Sequence, residues 1–470
     1  MIGQSSAVSI ACLAGFALVG LLWWRQAVWG VLLLAIFDGA VRKWLLPGAQ
    51  EWVYFWKDAL LIGAYLRFFG ERLGRGESLF GPHAANLVLG ILGILGVVQA
   101  ANPAVPNPIV GMFGLRAYFL YVPLMYMVPS LLPDAPHLRR VSLFVLGIAL
   151  IPLLLGVVQF ASSPTDSLNR YAWADEMGGD VAGFAGSGHA RITGTFSYIT
   201  GYTTFLTLIM LIALSETLVA SARWRVVLVV EMVLIVGNIL MTGSRGPALI
   251  VLVGVVGLVV VSVWKSRVRR GRIAVGATMV VIAACTVAQA LFPEAQKAFL
   301  DRTISNGDVP GRIADTVIAP VRALAQVGLT GYGLGTTHQA TSLIGGGIGA
   351  NPPPLAEVEL ERVVLETGLP GLVLLLAARI LVSVQLWRAL RKPEGTQLRP
   401  YLAVGFLFTL LLLPGNLVFN NTAALFYWFL AGLALMGPST SVTSPAAASR
   451  ARGALEWTLV GRGTTRVSSP

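Results

Sequence analysis

Uninterrupted apolar runs of about 20 residues, the length at which a helix crosses the hydrocarbon core of a bilayer, divide this chain from end to end. Such runs leave few ways to fold. In lipid every backbone N–H and C=O must be paired within the protein, which helices and closed barrels achieve, and these runs lack the period-two alternation of barrel strands. Thirteen can be placed, near 7–24, 27–41, 52–69, 84–101, 109–128, 141–160, 197–219, 226–242, 247–264, 273–292, 360–386, 400–419 and 422–437. Hydrophobic residues make up 56% of the sequence, charged residues only 12%, and the mean hydropathy is +0.75. A soluble domain cannot bury that much apolar surface. The expected fold class is an all-α, polytopic integral membrane protein with about 12–13 transmembrane helices and a large periplasmic loop. Residues 1–437 form its membrane domain, and 438–470, rich in Ser and Ala, read as a disordered cytoplasmic tail. The start, MIGQSSAVSIACLAG, has no cation ahead of its apolar stretch and reads as a retained first span rather than a cleaved leader.

Five basic clusters orient the spans: ERLGR (71–75), HLRR (137–140), ARWR (222–225), WKSRVRRGR (264–272) and WRALRK (387–392). All fall on one side if the spans alternate, and an excess of Lys and Arg marks the cytoplasmic side. The net charge of +12 is then a topology signal first, and no nucleic-acid partner is expected. Two long connections, about 161–196 and 293–359, fall on the outer side. Connections longer than about 15 residues are usually functional. Within the second, VIAPVRALAQV (317–327) reads as a short helix along the membrane surface. Cys12 and Cys285 lie inside apolar runs, too few for a disulfide framework. His83, His137, His189 and His338 are scattered without metal-ligand spacing, so no metal or other cofactor is expected.

Several cations break the positive-inside pattern. Arg42 and Lys43 end the second run, Arg116 lies about two turns into the fifth, and Arg191 precedes the seventh. Arg245 joins the eighth and ninth in MTGSRGPALI (241–250), and Arg302, Arg312 and Arg322 sit in the large outer connection. Guanidinium groups present a planar fork that suits phosphate oxygens. Converging at the outer interface, such a set would hold a pyrophosphate headgroup whose lipid tail stayed in the bilayer. For Arg116 and Arg322 the rival reading is snorkelling to headgroups; for Arg302 and Arg312 it is ordinary solvated charge. At Arg245, Gly243 and Gly246 permit close approach of backbone or ligand. Lys57 and Asp58, inside the third run, read as an intramembrane pair.

Taken in order, four stretches resemble the O-antigen ligase and polymerase superfamily of bacterial surface polysaccharides. MTGSRGPALI is similar to its SRG turn, HARITGTFSYITGY (189–202) to its R-x-x-G-T-F segment, GLTGYGLG (328–335) to the glycine-rich part of its periplasmic loop, and LERVVLETGLPGLVLLL (360–376) to its E-x-G-x-x-G helix entry. FDGAVRKWLLP (37–47) with YFWKDALLIGAY (54–65) further resembles an N-terminal pattern of polymerase-like members. The resemblance implies an all-helical glycosyltransferase of the bacterial inner membrane with a periplasmic active site. It would move a glycan from undecaprenyl pyrophosphate to an acceptor sugar hydroxyl, with inversion and without a metal. Arg191 and Arg245 match family arginines expected to bind the donor pyrophosphate; Arg42, Lys43, Arg116 and Arg312 are added from their sign and side.

One departure bears on the catalytic base. Ligases of the family carry His-Asn ahead of the E-x-G glutamate, and counting back nine residues from Glu366 lands on Glu357. Glu357, which would share a helix face with Glu361, and His338 are therefore the candidate catalytic residues; a structural pairing of the glutamates with loop arginines is the alternative. The glutamate and the Arg-Lys-Trp motif favour Wzy-type polymerisation of repeat units for exopolysaccharide, capsule or O-antigen. The alternatives are ligation to lipid A core or, in another class, a lipid-linked oligosaccharide flippase, although no internal repeat supports a transporter. A chain-length regulator is a further candidate partner.

Overall fold

The helices follow the apolar runs closely. The computed structural model describes residues 2–172, 182–184, 188–217, 220–264, 270–305, 309–338, 356, 358–392 and 397–436. Among them the chain forms α1 (Ile2–Leu22), α2 (Trp24–Ala40), α3 (Gln50–Gly74), α4 (Asn86–Ala100), α5 (Pro108–Phe119), α6 (Leu124–Leu131), α7 (Ala135–Ala161) and α8 (Ile199–Thr217). There follow α9 (Ala222–Thr242), α10 (Arg245–Trp264), α11 (Arg270–Leu291), α12 (Pro293–Ser305), α13 (Val309–Val327), α14 (Glu359–Arg391), α15 (Arg399–Leu411) and α16 (Asn421–Ala431). Among the described residues no strand forms; Gly183 and Ala190 make one isolated bridge. The segment proposed as a tail lies outside the described residues.

Each of the thirteen apolar runs contains a helix, yet fewer are long and apolar enough on their own to cross a membrane. Among the described residues these are α7, α8, α9 and α14; the α5–α6 pair, broken by 40°, and the α11–α12 pair, bent by 97°, raise the number to six if each is one span. The shortfall has visible causes. Charged Lys57 and Asp58 interrupt the apolar face of α3, and the 109–128 run is split near Pro123. Exposed Leu87, Ile94, Val97, Val226, Val230 and Val256 leave bare apolar stripes on the outside of the bundle, as lipid-facing surfaces do.

Helix α8 is the axis of the bundle: 83% of its apolar window is buried, against α7, α9, α10, α15 and α16. Its Tyr202 ties α7 to α9. The Tyr202 hydroxyl lies 3.0 Å from the Pro152 carbonyl on α7 and 2.7 Å from Asn238 Oδ1 on α9. The Asn238 amide donates in turn to the Leu153 carbonyl at 3.1 Å. Side chains on neighbouring helices thus satisfy backbone groups that no water reaches. Side-chain caps set the starts of α5 and α7: Asn107 and Asp134 accept from Val110 and His137 backbone N–H groups at 3.1 and 2.8 Å.

The described part of the 293–359 connection holds two helices. Pro293 starts α12 at 97° to α11, laying it against α9. The stretch 317–327 is helical, as expected, and forms the second half of α13, which packs on α14 through Ala323 and Leu324.

Candidate functional site

The segment 189–198 crosses the ends of several helices and organises the polar residues around it. Its Arg191 clamps the MTGSRG turn: Nε donates to the Thr242 carbonyl at 2.7 Å and Nη2 to the Ser244 hydroxyl at 2.9 Å. Between these anchors Gly243 is left-handed, φ 62°, and a Cβ there would lie 2.7 Å from the Phe184 ring. Only glycine fits that position without strain. Gly246, by contrast, faces open space. The Tyr171 hydroxyl donates to the Arg191 carbonyl at 2.6 Å.

Arg191 has company. Burial lowers its guanidinium pKa first, the charge of Arg302 lowers it further, and Arg245 adds to this while Tyr171 and Tyr198 oppose it. Arg302 and Arg245 thus lie near enough to act on the charge of Arg191, which is itself bonded to the turn that starts α10, where helix N–H groups and the macrodipole favour an anion. Arg302 arrives on α12 and is half-buried. The reading of Arg302 as ordinary solvated loop charge is thereby corrected: the bend at Pro293 turns it inward. At the other end of α12, Glu294 stands 3.7 Å from His189, whose ring stacks on Phe160 at 4.3 Å.

A second cationic group lies on the other side of the same segment. The Arg42 Nη1 donates to the Ser197 hydroxyl at 2.9 Å, and Lys43 Nζ to the Thr193 hydroxyl at 3.0 Å and the Gly194 carbonyl at 2.8 Å. Lys43 lies past the end of the second apolar run; burial brings its ammonium down to about 7, against the pull of Asp38. Lys57 and Asp58 do not pair with each other, contrary to expectation. Adjacent residues on a helix point about 100° apart, so Lys57 bonds Asp38 while Asp58 takes Arg116, whose Nε and Nη2 lie 2.8 and 2.7 Å from one carboxylate oxygen. Arg116 Nη1 also donates to the Tyr54 hydroxyl at 2.8 Å. Asn421 lies 2.7 Å from that hydroxyl, its amide oxygen turned toward Tyr54 and Arg116. Arg42, Lys57 and Arg116 stand 5.3, 5.3 and 4.5 Å from the centre of the Tyr54 ring. These cations thus form two groups on either side of residues 193–198, not one ring.

The glycine-rich loop docks on the E-x-G entry. Tyr332 and Gly333 N–H groups donate to the Leu365 and Glu366 carbonyls at 2.6 and 3.0 Å. The Thr337 N–H and hydroxyl both donate to Glu366 Oε1, at 3.0 and 2.8 Å. Gly368, φ 67°, kinks α14, and a Cβ there would meet the Leu329 carbonyl at 2.0 Å. This docking carries His338 to Arg116: its ring lies 4.6 Å from Phe113, and burial, then Arg116 and Arg362, pushes its pKa down to about 3. Glu357 lies outside the described residues, and so does the side chain of Arg312. Glu361 belongs to α14, which begins at Glu359.

Behind this face, Glu359 and Arg379 form a buried ion pair on α14. Glu359 Oε2 accepts from the Val418 N–H at 2.7 Å, and Arg379 Nη1 donates to the Leu413 carbonyl at 2.9 Å. The pair pins the turn before α16, which presents Phe419 and Asn421. The sequence pattern did not single out Tyr54, Asp38, Asn421 or Arg362; Tyr54, Asp38 and Arg362 stand inside the motifs 54–65, 37–47 and 360–376, whereas nothing marked Asn421.

The fold and this face define an all-helical protein with, among the described residues, four to six helices able to cross a membrane and a polar, arginine-rich site built from helix ends. No known protein family's profile matches the chain, and no curated protein is related to it at a significant level.

Proposed function

We propose that the protein is a glycosyltransferase of a bacterial inner membrane, with about 12–13 spans and its site facing the periplasm. Its substrate is a glycan carried on undecaprenyl pyrophosphate, and its reaction is the polymerisation of repeat units into a surface polysaccharide. One observation carries this reading: Arg191 and Arg245, the two arginines that match family positions, meet on one turn at a helix N-terminus, with Arg302 beside them. That is the chemistry a diphosphate needs.

In the proposed step the anomeric carbon–oxygen bond to the pyrophosphate breaks, and its electron pair leaves with the bridging oxygen. Arg191, Arg245 and Arg302 offset the growing negative charge, in a setting where fixed cations act more strongly than in water. The acceptor hydroxyl oxygen bonds the anomeric carbon from the opposite face and releases its proton. His338 is neutral and able to accept it. Burial first, and then Arg116 and Arg362, make it a weak base; acidic groups of a bound substrate would offset the arginines' part of that effect and raise its basicity.

The test is reconstitution. Purified protein and lipid-linked repeat unit should give a ladder of polymer on a gel, lost on Arg245→Ala with the protein still inserted. Transfer to added lipid A core instead would make it a ligase. In cells, repeat units accumulating inside rather than outside in that variant would favour a flippase and sink the transferase reading.

A further inference from the structure

Around Arg116 runs an arc of rings that the diphosphate chemistry leaves unused. Arg116 lies 4.5, 5.6 and 5.4 Å from the ring centres of Tyr54, Phe55 and Phe113. Phe113 meets the His338 ring edge-on at 4.6 Å, His338 meets Phe419 at 5.9 Å, and Arg362 lies 5.0 Å over Phe419. Three helices, the docked loop and the turn before α16 supply these groups. The rings are half-buried, unlike Phe196, Tyr202 and Phe205 in the core, which are at most 1% exposed.

We propose that this arc is a sugar subsite that holds a pyranose ring of the acceptor glycan. The proposal rests on the transferase reading and assigns its acceptor side. A pyranose offers an apolar C–H face and a rim of hydroxyls. The arc offers the half-buried surfaces of its rings, each covered on one side by a guanidinium, and beside them an amide, a phenol and an imidazole. A lipid tail would need the rings without the polar rim. A diphosphate would need the cations without the rings, and Asp58 already offsets the charge of Arg116. The other arginine group, across residues 193–198, is left for the donor diphosphate. His338 then stands beside the acceptor hydroxyl, and the Glu359–Arg379 pair fixes the turn that carries Phe419 and Asn421.

The experiment uses the full chain in nanodiscs and, as probe, the delipidated repeat-unit oligosaccharide released from the host's own surface polymer, followed by saturation-transfer NMR. Phe113→Ala and Phe419→Ala should each weaken binding about tenfold, the loss expected for one aromatic contact together with its buried area. Phe419→Trp should restore it. Arg245→Ala should abolish polymer from lipid-linked substrate and leave the oligosaccharide signal. Size-exclusion profiles matching wild type confirm folding. Unchanged binding in both alanine variants, or a wild type that makes polymer and yet fails to bind the oligosaccharide, overturns the subsite alone. A wild type that binds the oligosaccharide and makes no polymer overturns the transferase reading and leaves the sugar site standing.

Discussion

The Arg191 Nε and the Thr242 carbonyl oxygen are joined at 2.7 Å across 51 positions of sequence, and this bond makes one site of two separated motifs. A lysine at 191 keeps the charge but cannot reach Thr242 and Ser244 together, since the guanidinium fork is what spans them. Arg191→Lys should therefore lose most of the activity, roughly ten- to a hundredfold, as expected for charge-assisted hydrogen bonds of about 1.5–3 kcal/mol. Polymer formed per minute by the purified variant measures it; activity within twofold of wild type would show that charge alone suffices at this position.

Gly243 makes the same turn possible. Gly243→Ala adds a left-handed penalty of roughly 1–2 kcal/mol, plus contact with the Phe184 ring 2.7 Å from the new Cβ. Gly246→Ala meets nothing within 4 Å and should fold normally. Thermal unfolding of the two variants in one detergent should separate them, with Gly243→Ala melting first.

The thirteen apolar runs were legible because a span must be apolar throughout, and each contains a helix, although among the described residues four to six are long and apolar enough to cross a membrane. Their lengths were less legible: a break such as that between α5 and α6 costs little composition. At the site, Arg191 and Arg245 were found because they break the positive-inside pattern and stand in the resembled motifs, and for Arg245 because glycines flank it. The pairing of Lys57 with Asp38, and of Asp58 with Arg116, was not legible, because sequence neighbours on a helix diverge and their partners sit on other helices. Arg302 was misjudged for a similar reason. An inward turn at Pro293 does not alter composition, so nothing in the chain marks that arginine as half-buried. The two ligase-like motifs 328–335 and 360–376 gain a physical reason from their docking: glycines at 331, 333 and 368 let backbones meet.

Buried ion pairs are most sensitive to losing one partner. Arg116 and Asp58 side chains are 13% and 6% exposed, so Asp58→Ala should lower stability by about 3–5 kcal/mol by stranding the guanidinium. The double variant Asp58→Ala/Arg116→Leu should recover much of that loss. Unfolding of the single and double variants tests the coupling; additive effects would mean that each residue is held by other neighbours.

Glu366 acts as the receptor for the glycine-rich loop. Glu366→Ala leaves the Thr337 N–H and hydroxyl without their acceptor, about 1–3 kcal/mol for each buried donor stranded, and should free the loop around Thr337, while the backbone bonds of Tyr332 and Gly333 hold the part before it. Glu366→Gln keeps an oxygen at the same place and should keep the loop docked. Hydrogen exchange of the loop amides distinguishes the variants: fast exchange is expected in the alanine variant, near wild-type protection in the glutamine one.

The last prediction concerns acid. His338 has its pKa pushed from the usual 6.5 down to about 3 by burial and by Arg116 and Arg362. Between those two values the unfolded chain binds a proton at this position and the folded protein does not, so stability falls as pH drops from 6.5 toward 3 and is unaffected above 6.5. At pH 5 the cost is at most about 2 kcal/mol. His338→Gln removes the titrating group. The variant should match wild type at pH 7.5 in its relative response and lose less on going to pH 5, as read from paired unfolding curves. His83, near 4 by burial, adds the same slope to both proteins and cancels in the difference. Equal acid sensitivity of the two would place His338 in open solvent, and with it the arc of rings it joins.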